Sequence, residues 1–286
     1  MARRRCNLLA ALPFASGYHQ TPDGLFATTQ VAVLDNGHIR LPSSANVTRL
    51  AVEIGCSDLH TLDEEMLPFD PETFLISFEP VLDKYAVLLA RAAQRFYSNV
   101  RNLANTSGEV QRKQNFFSPL GMHHPRGVVL PFAVSEDGGP ATFHVARVAG
   151  CSSLLPINAG SKYYEFCKDV AEDRTIDTLS VAQAMALLPP QLPIRLLKVD
   201  TQGLDSRLVS RLPVEILRRV HTIQFETALS GETCGGSLYL GTKPCASAEA
   251  YLKSHGFIGS CPVSKRSHKC EANAVFRNPR YGNVMA

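Results

Sequence analysis

The chain has 286 residues, of which 45% are hydrophobic and 19% charged, and carries a net charge of +3. This is an ordinary globular composition with ample material for a core, which excludes a disordered or fibrous chain. Arg3-Arg4-Arg5 is the only basic run, which argues against nucleic acid as a partner. No apolar run reaches the roughly 18–20 residues needed to cross a bilayer.

Met1 to Ser16 contains arginines and no acid, the first acidic residue being Asp23. Residues 1–28 read as a lead-in, either poorly ordered or a targeting segment. Pro13 interrupts the apolar stretch Leu8–Ala15 that a secretory signal would need unbroken. Cytoplasm is the simplest compartment; a secretory lumen or an organelle stays open. Residues 29–286 read as one domain with decorations, with boundary candidates near residues 45 and 230.

Ala32–Arg40 suggests a short strand or hairpin around Asp35-Asn36-Gly37, a turn signal. Leu50-Ala51-Val52-Glu53-Ile54-Gly55 is an apolar strand that ends in glycine. Thr61-Leu62-Asp63-Glu64 has capping-box spacing, and Leu59, Leu62 and Met66 share a helical face. Thr73–Phe78 is a second apolar strand, closed by Glu79-Pro80. A helix follows, with Leu82, Tyr85, Leu89, Ala92 and Phe96 on one stripe and Pro80 near its start.

Residues 98–126 are polar and irregular, a surface insertion in which His123-His124 reads as an exposed pair rather than a metal site. Val128–Val134 is a further strand. Glu136-Asp137-Gly138-Gly139 makes a turn, and Thr142–Val148 runs back from it. Arg174–Leu179 leads into a helix with Val181, Met185 and Leu188 on one face, stopped by Pro189-Pro190. Ile194–Val199 reads as a strand buried on both faces, as in a parallel sheet. Ser206–Leu212 is a short helix, and Val220–Phe225 a strand ending at Glu226. Ala246–His255 is helical, with Gly256 as its left-handed cap, and Glu271–Arg277 alternates as an edge or antiparallel strand does.

Strands alternating with helices predict an α/β domain: a mostly parallel sheet with helices on both faces. The tail, residues 231–286, carries Cys234, Cys245, Cys261 and Cys270. Two disulfides there are one reading, and free, partly buried thiols are the simpler one. The absence of any CxxC argues against a zinc ribbon. Oligomeric state is not readable.

Three strand ends carry chemistry. Gly55 lets a ligand approach the backbone closely, and Glu79, 24 residues on, is placed to accept hydrogen bonds from ribose hydroxyls. The alternative is a plain turn at Gly55 and a helix cap at Glu79. Asp200 and Glu226, on neighbouring strands, form a carboxylate pair suited to a general base or a divalent ion. The alternative there is solvated surface acids.

At this point Glu53-Ile54-Gly55, Phe78-Glu79-Pro80, Ala133 to Gly139, Cys151-Ser152-Ser153-Leu154 and Leu197-Lys198-Val199-Asp200-Thr201-Gln202-Gly203 resemble, in order, the motifs of FkbM-type methyltransferases. Ile223-Gln224-Phe225-Glu226 continues the likeness, which covers roughly residues 48–230. The resemblance implies a seven-stranded Rossmann-like class I methyltransferase fold and S-adenosylmethionine as cofactor. It implies as acceptor a small molecule or glycan bearing a hydroxyl. Carried over, Glu53, Gly55, Ser57 and Asp58 line the methionine and ribose side, and Glu79 holds the ribose. Ala133, Val134 and Ser135 lie near the adenine. Lys198, Asp200, Gln202 and Glu226 face the acceptor, where Asp200 or Glu226 takes its proton directly or through a metal. Leu59 departs from the family, which has a second glycine there, and Asp205 stands where glutamate is commoner.

Two rivals remain. Tyr164 and Lys168 have the Tyr-x-x-x-Lys spacing of NADP-dependent short-chain reductases, without that family's glycine-rich turn. A methyltransferase-like binding module that has lost its cofactor would fit Leu59. No Gly-x-Ser-x-Gly elbow or His-Glu-x-x-His occurs, which disfavours a serine hydrolase or a zinc protease.

Overall fold

The structure is a computed structural model that describes residues 18–20, 26–28, 34–41, 46–57, 61–88, 126–148, 150–229, 236–263 and 270–281. The expectations for Asp58, Leu59, Leu89 to Phe96, the 98–125 insertion with His123 and His124, and Cys234 lie outside these residues.

Two short antiparallel pairs come first. β1 (Tyr18–Gln20) pairs with β2 (Phe26–Thr28), within the stretch read as a lead-in. β3 (Leu34–Asp35) pairs with β4 (His38–Ile39) across Asn36 and Gly37, both at positive φ, as the turn signal requires.

The main sheet has seven strands. They are β5 (Arg49–Ile54), β6 (Thr73–Phe78), β7 (Gly127–Leu130), β11 (Ile194–Val199), β12 (Val220–Ala228), β13 (Ile258–Ser260) and β14 (Glu271–Arg277). Their order is β7-β6-β5-β11-β12-β14-β13, with β14 antiparallel to both neighbours and the rest running one way. This is the Rossmann-like class I methyltransferase fold. The chain leaves β5 toward β6 and β7 on one side and returns to β11 on the other. The switch point therefore lies between the carboxyl ends of β5 and β11, where such sheets bind ligands.

Side-chain alternation explains the layering. Leu50, Val52 and Ile54 point to one face and join Leu197, Val199, Ile223 and Phe225 in the large core. That face is covered by α4 (Val181–Ala186), α5 (Asp205–Val209) and α7 (Cys245–Ser254), through Met185, Leu208 and Leu252. Ala51, Leu75 and Val129 point the other way, against Leu62 of α1 (Leu62–Glu65), Leu67, and Leu88 of the helix α2 at residues 82–88. The helix stripe is rotated by one residue from the sequence expectation. Val81 and Leu88 are buried while Leu82 is 58% exposed, because Val81 packs on Phe143 and Val145 of a second sheet. Likewise β11 is fully buried on one face only; Arg195, Leu196 and Lys198 on the other are half-buried.

The second sheet was not foreseen. The run read as one strand, 128–134, breaks at Pro131. Its second half, β8 (Ala133–Ser135), pairs with β10 (Val170–Ser180), which also pairs antiparallel with β9 (Gly139–Ala146). β10 is thus longer than 174–179 and does not belong to the main sheet. It ends in a capping box, in which the Ser180 side chain accepts from Gln183 N–H and Gln183 answers to Ser180 N–H. α3 (Tyr164–Cys167) and α6 (Val214–Leu217) are single turns.

The thiol expectation is corrected. Cys151–Cys167 and Cys245–Cys261 are disulfides, and Cys270 is also disulfide-bonded. Among the described residues Cys56 is free, and it is buried. The first bridge closes a loop of 16 residues that carries part of the cleft described below. Loop entropy at that length corresponds to about 3 kcal/mol. A reductant is therefore expected to lower the melting temperature by several degrees, read by calorimetry with and without dithiothreitol. At the amino ends of the strands, far from the switch point, Asp70 is tied to Arg49, Arg195 and Thr73. Burial works upward on its carboxyl but those three partners outweigh it, and it titrates at about 2.

Candidate functional site

A cleft of about 300 Å³ opens at the switch point, within the size range of small-molecule sites. Gly55, Cys56 and Ser57 after β5 form its floor, and Glu79, Pro80, Val81 and Lys84 one wall. Phe132, Ala133, Val134, Phe143 and Leu154 make an apolar end. Lys198, Asp200, Thr201 and Gln202 form the opposite lip. The cleft is thus apolar at one end and charged at the other.

Gly55 is at φ +79 and packs directly under the carbonyl of Asp200. Ser57 is also left-handed, at φ +55, and its N–H donates to Glu79 Oε2 at 2.6 Å. Glu79 Oε1 accepts from Val81 N–H at 2.8 Å. Glu79 thus ties the start of α2 to the glycine loop, as the helix-cap alternative expects. Lys84 Nζ donates to Ser57 Oγ at 2.8 Å.

The structure does not bring every expected residue to the cleft. Glu53 is fully buried beneath it, paired with Lys198 Nζ at 2.8 Å and accepting from Leu62 N–H at 3.2 Å. Burial pushes its carboxyl up to about 7, with the Lys198 charge pulling the other way. Burial would lower Lys198, but Glu53 outweighs it and the ammonium is held. Ser135 turns away: its hydroxyl is bonded to Thr178 Oγ1 at 2.7 Å and accepts from Gly138 N–H at 2.9 Å, closing the β8–β9 turn. Ala133 and Val134 do line the cleft. Tyr164 and Lys168, which motivated the reductase reading, are absent from its lining; Lys168 instead pairs with Glu165 on α3.

Asp200 and Glu226 come together as expected, though not both at strand ends. β12 continues to Ala228, so Glu226 sits inside it, opposite Asn273 of β14. Gln202, left-handed at φ +57, donates from Nε2 to Asp200 Oδ1 at 2.8 Å and to Glu226 Oε2 at 3.2 Å. Asp205 is buried and closes the turn by accepting from Thr201 N–H and Gly203 N–H. Burial, then the charge of Asp200, pushes Asp205 up to about 7 and Glu226 up to about 9. Glu226 therefore carries its proton at neutral pH. Among the described residues no group of three or more ligating side chains is arranged to hold a metal ion.

Sequence reasoning missed Lys84, Phe132, Phe143 and Tyr239. The block Cys151 to Leu154 has a place at the site. Its Ser152 and Leu154 line the cleft, and Ser153 Oγ donates to the Gln202 carbonyl at 2.6 Å.

Glu53, Asp205 and Glu226 share a consequence. Each holds its proton in the fold above the pH at which the unfolded chain releases it, so the native state binds more protons between about pH 4.5 and about pH 9. These three carboxyls make stability fall as pH rises through that window, against a smaller opposite contribution from half-buried His221. We expect the melting temperature to decline from about pH 5 to about pH 9. Glu226→Gln should remove most of the decline above neutrality, where Glu226 dominates; a pH series of thermal melts checks both.

No protein-family model matches the chain, and no curated protein is significantly similar to it. Solved structures of similar fold include the following two. One is a candidate tRNA (m1A22) methyltransferase of Streptococcus pneumoniae, 12% identical, with a TM-score of 0.32 over 82% of this chain and 66% of that one. The other is a cyclopropane synthase of Mycobacterium tuberculosis, 7% identical, with a TM-score of 0.32 over 76% and 57%. The chain spans less than two thirds of the length of either. The fold rests on the strand order given above, and these likenesses add nothing about chemistry.

Proposed function

We propose that the chain is an S-adenosylmethionine-dependent methyltransferase of the FkbM type, acting on a hydroxyl of a sugar or other small metabolite. The observation that carries this is the clamp at the switch point: Glu79 at the end of β6 holds the left-handed Gly55–Ser57 loop and faces a cleft whose other lip is Asp200. The cleft's chemistry fits the cofactor. The apolar end at Phe132, Ala133 and Val134 suits adenine, Glu79 suits the ribose diol, and Gly55, Ser57 and Lys84 suit the amino-acid tail.

When bound, the cofactor supplies an electrophilic methyl group on a sulfonium. The chain's residues do the rest. Asp200 accepts the proton of the acceptor hydroxyl, a contribution of the general-base kind. Glu226, protonated and bonded to the same amide, limits the negative charge beside it. Lys198, anchored by Glu53, places a cation at the lip. The disulfides fit a protein that folds in an oxidising compartment, and no described helix is long and apolar enough to cross a membrane.

A thermal-shift comparison tests the reading. S-adenosylhomocysteine should stabilise the protein and NADP should not. Stabilisation by NADP alone would point to a reductase, and by neither to a binding module. A panel of hydroxyl and amine acceptors with labelled cofactor then identifies the substrate class.

A further inference from the structure

We propose that Tyr239 is the positioning residue of the acceptor side: its hydroxyl orients the Gln202 amide, and that amide spaces the Asp200 and Glu226 carboxylates. Tyr239 Oη donates to Gln202 Oε1 at 3.0 Å. The amide nitrogen then has one direction left, and its two hydrogens go to Asp200 and Glu226. With the amide reversed, its oxygen would face the Asp200 carboxylate, acceptor against acceptor, and the bond to Asp200 would be lost. One nitrogen shared by two carboxyls keeps them no more than about 6 Å apart.

Tyr239 is itself held. It is buried, in a cluster with Leu238 and the Cys151–Cys167 bridge. The strand-like bridge Ile157–Tyr239 and the bonds Asn158 N–H to Leu238 O and Leu240 N–H to Pro156 O fix its backbone. Its ring lies against Gly203, where a Cβ would come within 2.9 Å of it. The residue therefore reaches the site from the tail, beyond the 48–230 stretch that resembles the methyltransferase family. Its phenol is pushed upward by burial and by the neighbouring carboxyls, so it stays a donor.

The groups facing Glu226 are Asp200 beyond β11, Asp205 on α5 and Glu271 on β14, with the Gln202 amide as the donor that favours its ionised form. Releasing that amide must raise the pH at which Glu226 titrates. The consequence for turnover rests on the methyl-transfer reading; the titration does not. The test is carboxyl ¹³C NMR of Glu226 across a pH titration in the full-length wild type and in Tyr239→Phe, with Glu226→Gln assigning the resonance. The Phe variant keeps the ring and should melt within a few degrees of wild type. Its Glu226 midpoint should be higher, by a fraction of the rise in Gln202→Met, which deletes the amide outright. Turnover should fall about tenfold, with S-adenosylhomocysteine affinity within twofold. An unchanged or lowered Glu226 midpoint in Tyr239→Phe overturns the proposal whatever the activity. A wild type that binds no cofactor overturns the function and leaves the titration to decide this point.

Discussion

Asp200→Asn is expected to cut turnover by about a thousandfold while S-adenosylhomocysteine binds within a few-fold of wild type, a loss in the range known for general bases. The substitution is isosteric, and the new side-chain oxygen can still accept from Gln202 Nε2, as Oδ1 now does at 2.8 Å. What disappears is the basic site; among the described residues the Asp200 side chain is hydrogen-bonded to Gln202, away from the cofactor end of the cleft. Single-turnover transfer with saturating cofactor measures the effect. Glu226→Gln is the contrast. An amide mimics a carboxyl that already holds its proton, so turnover should stay within about tenfold, less than is lost with a general base. If Glu226→Gln were the dead variant and Asp200→Asn the active one, the two roles would be exchanged.

The second large effect is at Gly55. A Cβ there would run into the Asp200 carbonyl oxygen and stand 2.8 Å from its carbon and 3.3 Å from Thr201 Cα. These are backbone atoms of β11's end and cannot rotate away. The position also has φ +79, where an L side chain is strained. Gly55→Ala should therefore cost roughly 3 kcal/mol of stability, from overpacking and backbone strain together. It should also abolish cofactor binding, because the loop that Glu79 clamps must shift. Chemical denaturation and calorimetric titration read the two parts separately. A variant that melts and binds like wild type would show that the two strand ends do not touch as described.

Much of this was legible in the sequence because the signals are local. An apolar run ending in glycine or a carboxylate marks a strand's carboxyl end, and Gly55, Glu79 and Asp200 each stand at one. The turn at Asn36-Gly37, the cap at Gly256 and the buried face of α4 follow from short-range chemistry in the same way. What was hidden depends on distant partners. Alternation in 170–180 shows a strand but not its sheet, and β10 pairs with β8 and β9 rather than joining the main layer. Glu226 looked like a strand end because its paired neighbour β14 is far along the chain. Ser135 sits in a matching motif, yet Thr178 draws its hydroxyl away from the cleft. Cys151 and Cys167 carry no recognisable spacing, and Tyr239 lies in a stretch without a motif. Glu53, expected at the ligand, lies fully buried beneath the cleft, where among the described residues it meets Lys198 and the start of α1.

The clamp between Glu79 and the glycine loop is the centre of the account, and isothermal titration with S-adenosylhomocysteine tests it most directly. Wild-type protein should bind one equivalent with a micromolar dissociation constant, and Glu79→Ala should weaken that by a hundredfold or more. No heat from wild type, or equal affinity in the two proteins, would contradict it.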